Sequence, residues 1–223
     1  MWVVIPVKPF MFAKQRLSAV LTDNERAGLA RVMLCDLLKT ISQCNAVSGI
    51  VLISQEQSVT ALAKPYGATV LDEEMRGLSR AVTQAAQFLA ARGQTRMLML
   101  PGDVPLSSAE EIDTVIAAHT ESVQMTIVSD REGFGTNAIA VSPLDLIPFQ
   151  FGRESFQAHC RAAVEVRAKI QVLKQPGLAF DIDTPDDLRA LMTYDTEAET
   201  LAYLCDRGVI DRLMPRANSL AAW

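Results

Sequence analysis

Apolar runs of strand length recur along this 223-residue chain, with helical patterns between them. WVVIP at 2–6, GIVLIS at 49–54, ATVL at 68–71 and MLML at 97–100 are too short for buried helices and almost wholly apolar, as strands covered on both faces are. Thr22 and Glu25 form a capping box, and Leu29, Met33, Leu37 and Ile41 recur every four residues, which predicts a helix over about 23–43. Helices are also predicted over 78–92 and 109–119, and strands over 125–129 and 137–141. Strands joined by single helices form right-handed crossovers, so the chain reads as α/β: one Rossmann-like domain with a mostly parallel central sheet flanked by helices. Residues 195–223, a helix from Thr196 to Arg207 and a tail, are expected to pack on a domain spanning 1–194.

Composition narrows the partners. With 21 Lys and Arg against 26 Asp and Glu, the net charge of −5 argues against binding nucleic acid through its phosphates. No apolar run approaches the ~18 residues of a membrane span, and the N-terminus lacks a signal-peptide pattern, so a cytoplasmic protein without a membrane partner is expected. Cys35, Cys44, Cys160 and Cys205 form no C-x-x-C pair and are expected to be free thiols rather than zinc ligands.

Ligands of open parallel sheets bind at the carboxyl ends of the strands, and the informative residues lie there. Lys8, Lys14 and Arg16 follow the first strand in a stretch, residues 1–22, without one acidic side chain. In PGDVPL, Asp103 follows a strand between two prolines that fix its direction. In FDIDTPDDL, Asp181 and Asp183 alternate at what reads as the end of a buried strand. Thr184 and Pro185 already start the next helix, so capping does not account for them. Like charges so close require something positive between them. Together with Asp103 they make an oxygen-rich set suited to Mg²⁺ or Mn²⁺.

Two further segments have the character of anion sites. DREGFGTN at 130–137 carries two glycines whose backbone N–H groups can turn toward an anion, followed by Thr136 and Asn137; a plain glycine hairpin is the alternative. FGRES at 151–155 places Gly152 before a helix starting at Ser155, whose free N–H groups favour phosphate or carboxylate. His159, one turn on, reads as an anion contact or a hydrogen-bonded structural histidine, and His119 as structural.

In order and spacing, IPVKPFMFAKQRL, GLSRA, PGDVPL, GFGTNA, FGRESFQAH and DIDTPDDL resemble the guanylyltransferase family that activates a small phosphorylated acid with GTP in making the deazaflavin coenzyme F420, over nearly all of residues 3–192. The resemblance implies a GT-A-like nucleotidyltransferase fold, GTP as substrate with Mg²⁺ or Mn²⁺, and a GMP diphosphate ester and pyrophosphate as products. By position it implies Lys8, Lys14 and Arg16 on the triphosphate, and Gly77, Ser79, Pro101 and Asp103 around the nucleotide. It assigns Asp103, Asp181 and Asp183 to the metal, and Thr136, Asn137, Gly152 and Ser155 to the acceptor's phosphate and carboxylate. Ser79 stands where relatives tend to have asparagine, which bears on the nucleoside contact. Acceptors in such relatives are 2-phospholactate, phosphoenolpyruvate or 3-phosphoglycerate. A homodimer through the C-terminal segment and a downstream transferase that uses the product are further expectations. An acceptor phosphate is already anionic near neutral pH, so no catalytic Ser, Cys or His is expected.

Three alternatives are weaker. DIDT also fits the nucleophile motif of aspartyl-phosphate phosphatases, but there it follows the first strand. Same-fold enzymes for other bases or acceptors usually open with a glycine-rich loop, absent here. A GTP-binding module without catalysis would not need all three aspartates.

Overall fold

The computed structural model describes residues 1–213. Its sheet has seven strands: β1 (Trp2–Val7), β2 (Gly49–Ser54), β3 (Thr69–Asp72), β4 (Met97–Met99), β5 (Gln124–Ser129), β6 (Thr136–Ser142) and β7 (Lys169–Val172). They lie in the order β3-β2-β1-β4-β6-β5-β7. Pairs β1–β2, β1–β4, β2–β3 and β5–β7 are parallel, and β6 runs antiparallel to both neighbours. The glycine hairpin, one of the two readings of residues 130–137, forms between the fifth and sixth strands. Only residues 130–135 connect them, a hairpin length too short for the dozen or more residues a parallel return needs. This reversal has a consequence for the site: the start of β6, Thr136 and Asn137, lies at the edge where the parallel strands end.

The helices are α1 (Asp23–Ile41), α2 (Ser58–Ala63), α3 (Leu78–Ala90), α4 (Ala109–Ala118), α5 (Ser155–Glu165), α6 (Pro185–Leu191), α7 (Glu199–Asp206) and α8 (Val209–Leu213). Capping boxes start α1 at Thr22, α4 at Ser108 and α6 at Thr184. On β1, Val3, Ile5 and Val7 pack with Leu34, Leu37 and Leu38 of α1, while Val4 faces Ala81, Val82 and Ala85 of α3, the two-residue alternation of a strand buried on both sides. A third core lies beyond the sheet. It joins Leu17, Leu29 and Met33 to Phe180, Ile182, Leu188, Leu204, Val209 and Leu213.

The expected strand at 180–183 is absent. The segment crosses the sheet edge as an irregular chain whose Ile182 N–H donates to the Asp103 carbonyl at 3.2 Å. Its two-residue alternation survives, with Phe180 and Ile182 fully buried and the aspartates turned the other way. The predicted helix over 196–207 is shorter, since α7 starts at Glu199; residues 214–223 of the expected tail lie outside those described.

Candidate active site

The loop after β1 is pinned by buried Phe10 and Leu17, and the Phe10 N–H donates to Glu56 Oε2 at 3.3 Å. Polar side chains between those anchors are thereby carried over the carboxyl edge of the sheet. Lys14 adopts a left-handed backbone conformation (φ 53°, ψ 40°), which costs a non-glycine residue about 1 kcal/mol. That turn brings its ammonium to Asp103 Oδ2 at 2.5 Å and to Asp183 Oδ1 at 2.8 Å. The lysine side chain is only 7% exposed. Burial by itself would lower its pKa, but the charges of Asp103 and Asp183 outweigh this and hold it above the ordinary lysine value. Burial raises the Asp183 carboxyl, yet Lys14, Arg16 and Lys8 bring it below the usual carboxylate range. Lys14, 169 residues away in the chain, is therefore the positive charge that Asp183 requires.

Asp181 has no such partner. It accepts one hydrogen bond, from Asn137 Nδ2 at 3.2 Å. Burial, and then the nearby charge of Asp103, push its carboxyl up to about 6.

A cavity of about 420 Å³ opens beside this cluster. Among the residues singled out from the sequence, Lys8, Lys14, Arg16, Gly77, Pro101, Asp103 and Asp183 line it, and Ser79, Thr136, Asn137, Gly152, Ser155 and Asp181 do not. Several of the latter have other work. Ser79 Oγ accepts the Phe151 N–H at 2.9 Å, tying α3 to the loop before α5. The amides of Phe134 and Gly135 do face an anion, but it is the Asp130 carboxylate of the same hairpin, at 2.9 and 2.8 Å. Ser155 is buried as the first residue of α5, whereas a side chain at Gly152 would meet only open space. Arg131 of the hairpin pairs with Asp187 and lies over the Phe180 ring, clamping the aspartate segment. Neither this clamp nor Glu73, a cavity-lining carboxylate, was signalled by the sequence, because each depends on loops meeting across the edge.

His159 is structural. The Gln150 N–H donates to Nε2 at 3.0 Å, so Nε2 carries no proton, and Nδ1–H faces Thr136 Oγ1 at 3.1 Å. His119 is likewise enclosed, between Thr126 and Ser142. Burial pushes each pKa from 6.5 down to about 4. Between those values the unfolded chain binds protons that the folded chain does not, so stability present above pH 6.5 is lost as pH falls, by about 1.4 kcal/mol per unit for each histidine. Asp181 has the opposite sign, because its folded value of about 6 exceeds the ordinary 3.8. Urea unfolding at pH 5 should therefore give a stability about 3 kcal/mol below that at pH 7. An unchanged stability would show that these imidazoles are not held neutral.

Fold and site together define a nucleotidyltransferase: an α/β sheet whose carboxyl edge gathers a basic loop, a cavity and three carboxylates. Residues 1–213 match the family described as guanylyl transferase CofC like, and the chain belongs to that family. A phosphoenolpyruvate guanylyltransferase of Conexibacter woesei is 32% identical over 190 residues, covering 84% of this chain and 85% of that protein. A 3-phospho-D-glycerate guanylyltransferase of Colwellia psychrerythraea is 32% identical over 189 residues, with 85% and 90% covered. A 2-phospho-L-lactate guanylyltransferase of Methanobrevibacter smithii is 32% identical over 203 residues, with 90% and 88% covered. Among solved structures, a Desulfovibrio desulfuricans G20 protein assigned to the nucleotide-diphospho-sugar transferases superposes with a TM-score of 0.74 at 17% identity, covering 95% and 97% of the two chains. That likeness concerns the fold. No described helix is long and apolar enough to cross a membrane.

Proposed function

We propose that this chain transfers GMP from GTP to the phosphate of a small phosphorylated three-carbon acid and releases pyrophosphate, in the making of coenzyme F420. The observation that carries the reading is the Lys14 ammonium held between Asp103 and Asp183 at the wall of the cavity, with Lys8 and Arg16 beside it. The loop supplies the positive charge a triphosphate needs, and the carboxylates supply hard oxygen donors.

These residues fit a divalent cation in kind. Asp181, half-buried near Asp103 and Asp183, has its pKa pushed up to about 6, which marks a carboxylate short of positive charge. Among the described residues no three such groups already converge as a cage, since Lys14 takes the place between two of them. Asp103, Asp181 and Asp183 would hold Mg²⁺ or Mn²⁺, which when bound offsets charge on the triphosphate and on the departing pyrophosphate. Lys8, Lys14 and Arg16 bind and orient the phosphates. Asp103 and Asp183 keep Lys14 protonated and aimed. Asn137 fixes Asp181, and the 149–155 segment, held by Ser79 and His159, shapes the acceptor side with Thr136, Gly152 and Ser155. The acceptor is already an anionic nucleophile, so alignment and charge neutralisation carry the step and no side chain needs to remove a proton.

The three kinds of relative differ in acceptor. Phosphoenolpyruvate and 3-phosphoglycerate are favoured here as common metabolites. A homodimer and a downstream transferase that consumes the activated ester complete the proposal. The test is pyrophosphate release by the purified protein with Mg²⁺ and GTP, offered each of the three acids in turn, with ATP and CTP as controls. Release with GTP and one acid establishes reaction and acceptor together. No release with any of the three acids would overturn the assignment.

A further inference from the structure

The cavity reaches well beyond the phosphate-binding charges, and at its far end lies one carboxylate with no role in the cluster around Lys14. Glu73 follows β3, the edge strand, two strands from β1 and three from β4. At the usual strand spacing this places it roughly 10 Å from the end of β1 and 14 Å from the start of the Asp103 loop. That is the reach of a nucleoside with its phosphates laid along the sheet edge. Its backbone is fixed at both ends: the Glu73 N–H donates to the Ser54 carbonyl at 3.4 Å, and Gln55 Nε2 donates to the Glu73 carbonyl at 3.2 Å. Its Oε1 accepts the Gly77 N–H at 3.0 Å, which aims the carboxylate. Among the described residues Oε2 has no hydrogen-bond partner.

Resting on the assignment of GTP to this cavity, we infer that Glu73 is the residue that selects guanine. Guanine is the common base whose pairing edge offers two adjacent donors, N1–H and the 2-amino group, and a carboxylate accepts both. Adenine and cytosine place an acceptor nitrogen beside their amino group, and uracil flanks its single donor with two carbonyls. A fixed carboxylate repels each of these. The remaining atom of the guanine edge, O6, requires a donor. Next to Glu73, α3 begins at Leu78, a cavity residue, after Gly77, which has no capping side chain, so backbone N–H groups of its first turn are left for an acceptor. Ser79, by contrast, is occupied with Phe151 and does not line the cavity. Selectivity for the base therefore lies with Glu73 rather than with Ser79, the position where the sequence departs from relatives.

Equilibrium binding of GTP, ITP and ATP to the wild type and to Glu73→Gln tests this without any acceptor. Inosine lacks only the 2-amino group. The wild type is expected to bind GTP about 10-fold more tightly than ITP and about 100-fold more tightly than ATP, since each hydrogen bond to a charged group contributes about that factor of 10. In Glu73→Gln, whose amide oxygen can still accept the Gly77 N–H, the two ratios should collapse to within about 3-fold, with GTP affinity down about 100-fold and ATP affinity nearly unchanged. A wild type that prefers GTP and a variant that keeps the preference would overturn the role of Glu73 while leaving GTP as substrate. A wild type that binds ATP as well as GTP would overturn both.

Discussion

Asp103→Asn is expected to lower pyrophosphate release about 1,000-fold, the scale on which removal of one preorganised charged contact affects transfer reactions, and to leave the fold in place. Both halves of that expectation come from where Asp103 sits. Its backbone carbonyl, which the substitution does not touch, accepts the Ile182 N–H and holds the aspartate segment to the loop. The side chain is 28% exposed and shares Lys14 with Asp183, so asparagine costs at most about 1 kcal/mol of stability in a partly solvated pair. Function depends on the charge instead. Without Asp103, Lys14 is aimed by Asp183 alone, and one carboxylate of the proposed cation site is missing. Turnover and thermal unfolding measured on the same preparation separate the two effects. A folded variant with full turnover would remove Asp103 from the reaction.

The sequence made most of this sheet legible because strand and helix signals are local. Four apolar runs became β1 to β4, the capping box at Thr22 starts α1 and the N-cap Thr184 starts α6 as expected. What it concealed is relational. The β7 strand was missed because KIQV has exposed Lys169 and Val172 at its ends, without the buried run that marks the inner strands. The need for a positive charge near Asp181 and Asp183 was readable from repulsion. That the charge would be Lys14, and that it would meet Asp183 but leave Asp181 to Asn137, was not. Glu73 was concealed for the same reason: it gains meaning only from a cavity four strands wide.

Deleting residues 195–223 should abolish cooperative unfolding of the remaining chain, or lower its midpoint below growth temperatures, and turnover should be lost with it. The segment reads as an appendage in the sequence, yet α7 and α8 close the third core. Leu204 and Val209 are fully buried and Leu213 is 3% exposed, against Leu17, Leu29, Met33 and Ile182. Uncovering these three side chains costs about 5–8 kcal/mol. The first turn of α7 follows Ala198, which cannot cap it. Asp36 of α1 does so across the interface, accepting the Glu199 and Thr200 N–H groups at 2.9 Å each and the Thr200 hydroxyl at 2.6 Å. Asp36, 7% exposed in the intact protein, loses these three hydrogen bonds to water, a net cost of about 3 kcal/mol. The total rivals the 5–15 kcal/mol that holds a domain of this kind together. The damage also reaches the site directly, because Leu17 ends the basic loop and Ile182 separates Asp181 from Asp183. Circular dichroism melts of the truncated chain and of Asp36→Asn distinguish a core from a cover. The point variant should lose about 2 kcal/mol and keep its activity, whereas a truncated chain that melts like the whole would show that the third core is complete without α7 and α8.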